Sequence, residues 1–82
     1  MFKIKPLRSS LKRYLKKHGL EKKFAKQAEF FEKNIRHPSL HTEILEPKGL
    51  RIYSFRIDKR YRAIFIYYKG EVEIIDINPH YE

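Results

Sequence analysis

The sequence has 82 residues, which predicts one domain spanning residues 1–82 with no room for a second hydrophobic core. It contains no cysteine, so a disulfide framework and a thiolate metal site are both excluded. Lysine and arginine number 19 against 10 acidic residues, and this net charge of +9 favours nucleic acid as a partner over a membrane or an acidic protein. The longest apolar runs are too short to span a bilayer and no secretory segment opens the chain, so we expect a soluble, cytoplasmic protein.

The first half of the chain predicts one strand and two helices. Apolar and lysine side chains alternate in residues 2–7, which is typical of a short strand. Ser9 or Ser10 is expected to cap a short helix that ends at Gly19. A second helix follows and closes before Pro38. Its apolar side chains recur at helical spacing: Leu20, Phe24, Ala28, Phe31 and Ile35.

The second half of the chain is rich in β-branched and aromatic residues. Residues 37–50 contain two prolines and a glycine, and we interpret them as an irregular connector. Three strands are predicted after it: Arg51–Asp58, Tyr61–Tyr68 and Glu71–Asn78. The fold class is therefore α+β: an N-terminal strand, a two-helix hairpin and a three-stranded antiparallel meander, with the helices packed on one face of the sheet.

Strand alternation separates two sets of side chains. It puts Arg56 and Arg62 on the face opposite to Phe55 and Phe65. Because a helix pair covers only one face, the arginine face is expected to form a partly open basic surface. Arg62 directly precedes the apolar run AIFIYY, where an unpaired charge is costly, so it needs a partner.

Two kinds of partner would satisfy Arg62. The structural alternative is an ion pair with a carboxylate, for which Asp58, Asp76 and Glu43 are the candidates. The functional alternative is an anionic ligand. The sequence pattern leaves both alternatives open.

The histidines differ in what they predict. The unperturbed pKa of a histidine side chain permits proton transfer near neutral pH, which makes His80 a candidate, although a histidine near a terminus is most often solvated and idle. His37 and His41 are four residues apart, but Pro38 disturbs the helix that a zinc site would need. We therefore expect neither a metal nor a cofactor. With Glu43, the chain offers a carboxylate, an arginine, a histidine and a tyrosine, a set that suits metal-free RNA cleavage.

A longer motif gives these residues a context. The run GLRIYSFRIDKRYRAIFIYYKGEVEIIDINPHY, residues 49–81, resembles the C-terminal half of toxins of the RelE/ParE superfamily. The predicted element order over the whole chain is similar as well. Within the superfamily the YoeB/Txe branch is the most similar, because its members finish in His-Tyr eighteen residues after a strand arginine, as Arg62 and His80 do here.

The resemblance implies the toxin of a toxin–antitoxin pair, a ribosome-dependent mRNA endonuclease whose partners are the ribosome, mRNA and a cognate antitoxin. By position it implies that Glu43 is the general base and that Arg62 stabilises the phosphate. It further implies that His80 is the general acid and that Tyr81 orients the substrate or contacts a base. Glu46 competes with Glu43 for the role of base.

Further basic residues are expected to serve the same substrate. Arg56, Arg51 and Lys59 are the predicted phosphate-binding side chains. Nine basic residues within residues 1–23 predict docking to ribosomal RNA. Pro79 is expected to break the strand and direct the terminal His-Tyr pair toward Arg62, and the chain is expected to stop there because a longer tail would obstruct the substrate.

Two other functions remain as alternatives. One is a ParE-like toxin that inhibits DNA gyrase, which would share the fold but lack the nuclease residues. The other is a non-catalytic, basic RNA-binding module. Both alternatives predict that replacing His80 by alanine leaves the biological effect intact.

Overall fold

A computed structural model describes residues 3–45 and 47–79. Two helices pack against one five-stranded sheet with the strand order β1-β5-β4-β3-β2. The strands are β1 (Lys3–Ile4), β2 (Glu43–Ile44), β3 (Ile52–Arg56), β4 (Tyr61–Tyr68) and β5 (Glu71–Pro79). The helices are α1 (Ser9–Lys17) and α2 (Glu21–Lys33), and two 3-10 turns cover Pro38–Leu40 and Lys48–Leu50. The α+β class is confirmed. Neither described helix is long and apolar enough to cross a membrane.

Helix α1 begins without the predicted serine cap. Its N-cap is Arg8, which makes no side-chain capping bond, and Ser9 and Ser10 both lie inside the first turn. The predicted end of the helix is confirmed, because Gly19 follows His18 with a positive φ of 65°. A glycine adopts this left-handed conformation without the steric cost that a Cβ would bring.

Helix α2 supplies the centre of the hydrophobic core. Phe31 is fully buried, and its ring centroid lies 5.1 Å from those of both Phe55 and Phe65. The helix ends at Lys33, before the predicted boundary, yet Ile35 still packs against the core. Burial of each of these aromatic side chains stabilises the fold by about 1.5–3 kcal/mol.

The composition of residues 37–50 predicts an irregular connector. The structure differs, because this segment contains the short strand β2. Strand β2 pairs antiparallel with β3, with Glu43 opposite Ser54 and Ile44 opposite Tyr53. The N-terminal strand is also not part of an antiparallel arrangement, because β1 runs parallel to β5. The sheet is therefore mixed and has five strands, with β1 and β2 as two-residue edge strands.

The predicted alternation of strand faces is confirmed. Phe55, Ala63 and Phe65 are buried beneath the helices. The opposite face, which we call the open face, carries the alternate residues, including the cross-strand pair Arg56 and Arg62. A register shift beside Ile64 leaves Ile75 of β5 without a direct partner in β4, as in a β-bulge. The two faces of the sheet remain distinct on either side of this shift.

Candidate active site

Arg62 is the most unusual residue of the open face, because it is an arginine with only 5% of its surface exposed. Its Nε donates a hydrogen bond of 2.9 Å to the hydroxyl of Ser54, which is itself fully buried. Its Nη2 donates to the carbonyl oxygens of Ser54, at 3.3 Å, and His41. These bonds fix the plane of the guanidinium across strand β3.

The ion pair considered for Arg62 does not form. Within residues 3–45 and 47–79, no carboxylate oxygen lies within 4 Å of its guanidinium. Asp58 instead pairs with Lys23, and Asp76 accepts from its own strand. Glu43 attracts Arg62 from a greater distance. Neutral oxygens therefore satisfy the arginine, and no carboxylate among the described residues is a direct counter-ion for its positive charge.

The electrostatic environment of Arg62 reflects this imbalance. Burial lowers the pKa of Arg62 from its ordinary value, Glu43 raises it, and Arg56 lowers it further. The group nevertheless stays protonated, because arginine does not lose its proton in proteins. An anion placed beside it would therefore gain the attraction of a partly desolvated, fixed cation.

Arg56 adds a second positive charge at the same place. It lies directly opposite Arg62 in the β3–β4 pair and is half-buried. Its guanidinium has neither a hydrogen bond nor an ion pair in the described part of the chain. Like charges at directly opposite positions destabilise a sheet, so this pair is a cost to the fold that an anionic ligand would offset.

Glu43 completes the group of charged side chains on the open face. It is exposed on the edge strand β2, opposite Ser54. Strand β3 lies between β2 and β4, so two strand spacings, about 10 Å, separate the backbone of Glu43 from β4. Glu43 forms no ion pair with any residue that the structure describes. The carboxylate of Glu43 and the fixed guanidinium of Arg62 therefore flank the same surface.

The structure places the other predicted site residues differently. Lys59 lies exposed in the β3–β4 turn, close to Arg56. Arg51 precedes the other end of β3 with a positive φ of 53°. Five residues of extended chain, about 16 Å, separate it from Arg56, so Arg51 is not brought to the site.

The remaining predicted residues, Glu46, His80 and Tyr81, lie outside the described residues. The described part of β5 ends at Asn78 and Pro79, opposite Arg62 and Tyr61 respectively. Pro79 thus belongs to β5, and its predicted role in directing the following residues stays a prediction.

The internal histidines have structural contacts. His37 stacks on Phe30, with ring centroids 4.1 Å apart, and its Nδ1 lies 2.9 Å from the hydroxyl of Ser39. His18 lies beside Tyr14 and Tyr61 at the end of α1. No group of three or more metal-ligating side chains occurs in the described ranges.

Ser54 is the site residue that the sequence analysis missed. It is the one hydroxyl in the run IYSFR of β3, apart from the phenol of Tyr53, and it lies two positions before Arg56 and therefore on the same face. A small polar residue inside an otherwise apolar and aromatic stretch was the available signal. Its partner is visible only when strand pairing places Ser54 and Arg62 on one face.

Known proteins resemble this chain more in fold than in sequence. No family model matches the chain. An uncharacterized protein of Haemophilus influenzae is 46% identical over 43 residues, which is 52% of this chain but only 43% of that protein. The chain thus spans less than half the length of this curated relative.

Solved structures show the fold over the whole chain. The YoeB dimer from Staphylococcus aureus has a TM-score of 0.70 at 18% identity, covering 98% of this chain and 95% of that chain. The heterotetrameric YoeB–YefM toxin–antitoxin complex from the same organism has a TM-score of 0.68 at 18% identity, with coverages of 99% and 97%. The chain therefore shares the fold of these YoeB structures.

Proposed function

We propose that the protein is the toxin of a type II toxin–antitoxin system and acts as a ribosome-dependent mRNA endonuclease. One observation supports this most directly: Arg62 is buried, is oriented by neutral oxygens and has no counter-ion among residues 3–45 and 47–79, on a face that also bears Arg56 and Glu43. The fold shared with YoeB makes this activity the nearest precedent for such a face.

The proposed reaction is cleavage by the neighbouring ribose hydroxyl. Glu43 removes the proton from the 2′-hydroxyl, whose oxygen attacks the adjacent phosphorus. Arg62 and Arg56 stabilise the extra negative charge of the pentacoordinate phosphorane. Because Arg62 is already fixed by Ser54, it needs little reorganisation as this charge develops. The 5′-oxygen then leaves with a proton, and a 2′,3′-cyclic phosphate remains.

The proton donor is assigned by resemblance. His80 is the proposed general acid and Tyr81 the proposed orienting group, by analogy with the His-Tyr end of the YoeB/Txe branch. Opposite Arg62, strand β5 supplies Asn78, two positions before His80. The sequence connection is thus short enough for the imidazole to serve the same phosphate.

A cognate antitoxin is the proposed protein partner. The related fold occurs in a YoeB–YefM toxin–antitoxin complex. The net charge of +9 favours an acidic partner segment, and a disordered one would order itself on this surface. We propose that the basic residues of α1 dock the toxin to ribosomal RNA.

The test is cleavage of a defined mRNA by the purified protein with and without translating ribosomes. We expect ribosome-dependent cuts, a loss of about 10²–10³-fold in Arg62→Ala, and about 10²–10⁴-fold in His80→Ala. Arg60→Ala, an exposed arginine of the adjacent turn, is the matched control and should cleave normally. Glu43→Gln and Glu46→Gln, compared side by side, identify the base.

The other outcomes point to different functions. Intact mRNA together with growth arrest would contradict the nuclease and favour a gyrase target, which a supercoiling assay would detect. Intact mRNA without a growth defect would leave a basic RNA-binding module. A cut that survives in Arg62→Ala would show that the chemistry lies elsewhere.

A further inference from the structure

A second basic concavity lies where α2 meets the β3–β4 turn. We call this cavity of about 350 Å³ the turn groove. The residues that matter for its chemistry come from α2, from the end of β3 and from the turn: Lys23, Lys26, Gln27, Arg56, Asp58 and Lys59. Arg56 also lies opposite Arg62, so the turn groove borders the candidate active site.

The charges of the turn groove do not balance. Asp58 pairs with Lys23 at 3.1 Å and thereby neutralises one of the four cations. In the described parts of the chain, Lys26, Arg56 and Lys59 have no carboxylate within 4 Å. Lys26 has only a distant aromatic neighbour, with its Nζ 6.0 Å from the Phe30 ring centroid. Three positive charges therefore surround one concave surface.

Two buried or partly buried polar groups hold this arrangement in place. The amide of Gln27, a residue that is only 7% exposed, donates to the carbonyls of Ser39, at 3.1 Å, and Arg56, at 2.9 Å. The Oδ1 of Asp58 accepts from the backbone N–H groups of Arg60 and Tyr61, both at 2.8 Å. Helix and turn are thus fixed relative to each other, so the cations cannot spread apart freely.

We propose that the turn groove binds a backbone phosphate of single-stranded RNA next to the phosphate held by Arg62. The inference rests on the proposed function and extends it. It gives the RNA strand a path over the protein surface, which runs from the open face past Arg56 toward α2. Arg56 belongs to both sites and therefore joins them into one track. A phosphate suits the site because Lys26, Lys59 and Arg56 offer donors from several sides of one anion.

Asp58 sets the strength of this site. Its carboxylate occupies Lys23 and repels an approaching phosphate, so removing its charge should strengthen RNA binding. Asp58→Asn suits this test because the asparagine Oδ1 can still accept the two turn N–H bonds. The variant thus changes the charge of the groove while it keeps the turn.

The experiment measures fluorescence anisotropy of a labelled 2′-O-methyl RNA octamer, which lacks the attacking hydroxyl, without ribosomes. Lys26→Gln/Lys59→Gln should weaken binding about ten-fold and lower the salt slope by about 0.7, the value for one phosphate contact of a single strand. Asp58→Asn should strengthen binding about three-fold. The charge-matched control, Lys48→Gln/Lys69→Gln, alters exposed lysines away from the groove and should change affinity less than about two-fold.

Three results would overturn the inference. Equal losses in the two double variants would mean that only net charge matters. Weaker binding after Asp58→Asn, with an unchanged thermal midpoint, would contradict the role of that carboxylate. If Lys26→Gln/Lys59→Gln lost affinity for a polyglutamate peptide but not for RNA, the groove would be assigned to an acidic protein. The binding assay does not depend on cleavage. If the turn groove binds RNA but the protein does not cleave mRNA, the proposed nuclease activity is contradicted and the proposed phosphate site is not.

Discussion

The two faces of the sheet are built from the same strands but bury different kinds of side chain: aromatic rings on one face and hydrogen-bonded polar groups on the other. Under the helices, Phe55 and Phe65 bury aromatic surface against Phe31. On the open face, Ser54 and Arg62 are almost as deeply buried as these aromatic side chains, but hydrogen bonds satisfy them. One face thus stabilises the fold, while the other positions a charge that contributes little stability of its own.

Along a single strand, residues that face the helices should affect stability, and residues on the open face should affect chemistry. A residue and its neighbour one position along β3 or β4 belong to different faces, so adjacent substitutions should have different consequences. Changes under the helices should lower the free energy of unfolding. Changes on the open face should lower the rate of the proposed cleavage, with smaller effects on folding.

The largest expected effect is on the helix-covered face. Phe31→Ala should lower the free energy of unfolding by about 3–5 kcal/mol, because it leaves a cavity between two other rings. That is a large part of the total of about 5–15 kcal/mol for a small protein. Urea denaturation measures it. Phe30→Ala, where the half-buried ring stacks on His37, is the control and should cost about 1–2 kcal/mol. Equal losses would refute a core centred on Phe31.

An intermediate effect is expected on the open face. Ser54→Ala removes the acceptor of the Arg62 Nε hydrogen bond and should slow single-turnover cleavage about ten-fold, with KM unchanged. Ser54→Thr retains a hydroxyl and should restore most of the rate. The exposed Ser10→Ala is the control. If Ser54→Ala cleaves at the wild-type rate, the orientation of Arg62 does not depend on this bond.

The smallest effect concerns pH and the turn between the strands. Burial raises the pKa of Asp58, but hydrogen bonds from the Arg60 and Tyr61 backbone and from Lys23 outweigh it and lower the pKa below its ordinary 3.8. The ionised carboxylate therefore stabilises the fold above that value, and the stabilisation is lost as the pH falls through the lowered pKa. Below about pH 4, the free energy of unfolding should fall more steeply in the wild type than in Asp58→Asn. Parallel pH profiles would contradict this account.

Much of the fold could be predicted because its main elements are periodic. The alternation of residues in β3 and β4 is enough to assign Phe55 and Arg62 to opposite faces, and Gly19 marks the end of α1. Strand β2 could not be predicted in this way. It has two residues, Glu43 and Ile44, and pairing with β3 rather than local composition makes them a strand.

The site was harder to predict than the fold for a related reason. Charge patterns suggest carboxylates as partners of Arg62, whereas the actual acceptors are a hydroxyl and two backbone carbonyls. Carbonyl groups belong to every residue, so a sequence cannot single out that of His41. Only the pairing of β2 with β3 brings the His41 segment beside the side chain of Arg62.

The position of β5 has a consequence for synthesis. This strand lies between β1 and β4, so Lys3 meets Glu71 across 68 positions of sequence. Contacts between such distant positions form late and slow the folding of small domains. We therefore expect the nascent chain to lack the complete sheet until β5 has been translated. An incomplete chain would have no ordered β4–β5 pair beside Arg62, so the surroundings of this guanidinium would be completed only after β5 has been made.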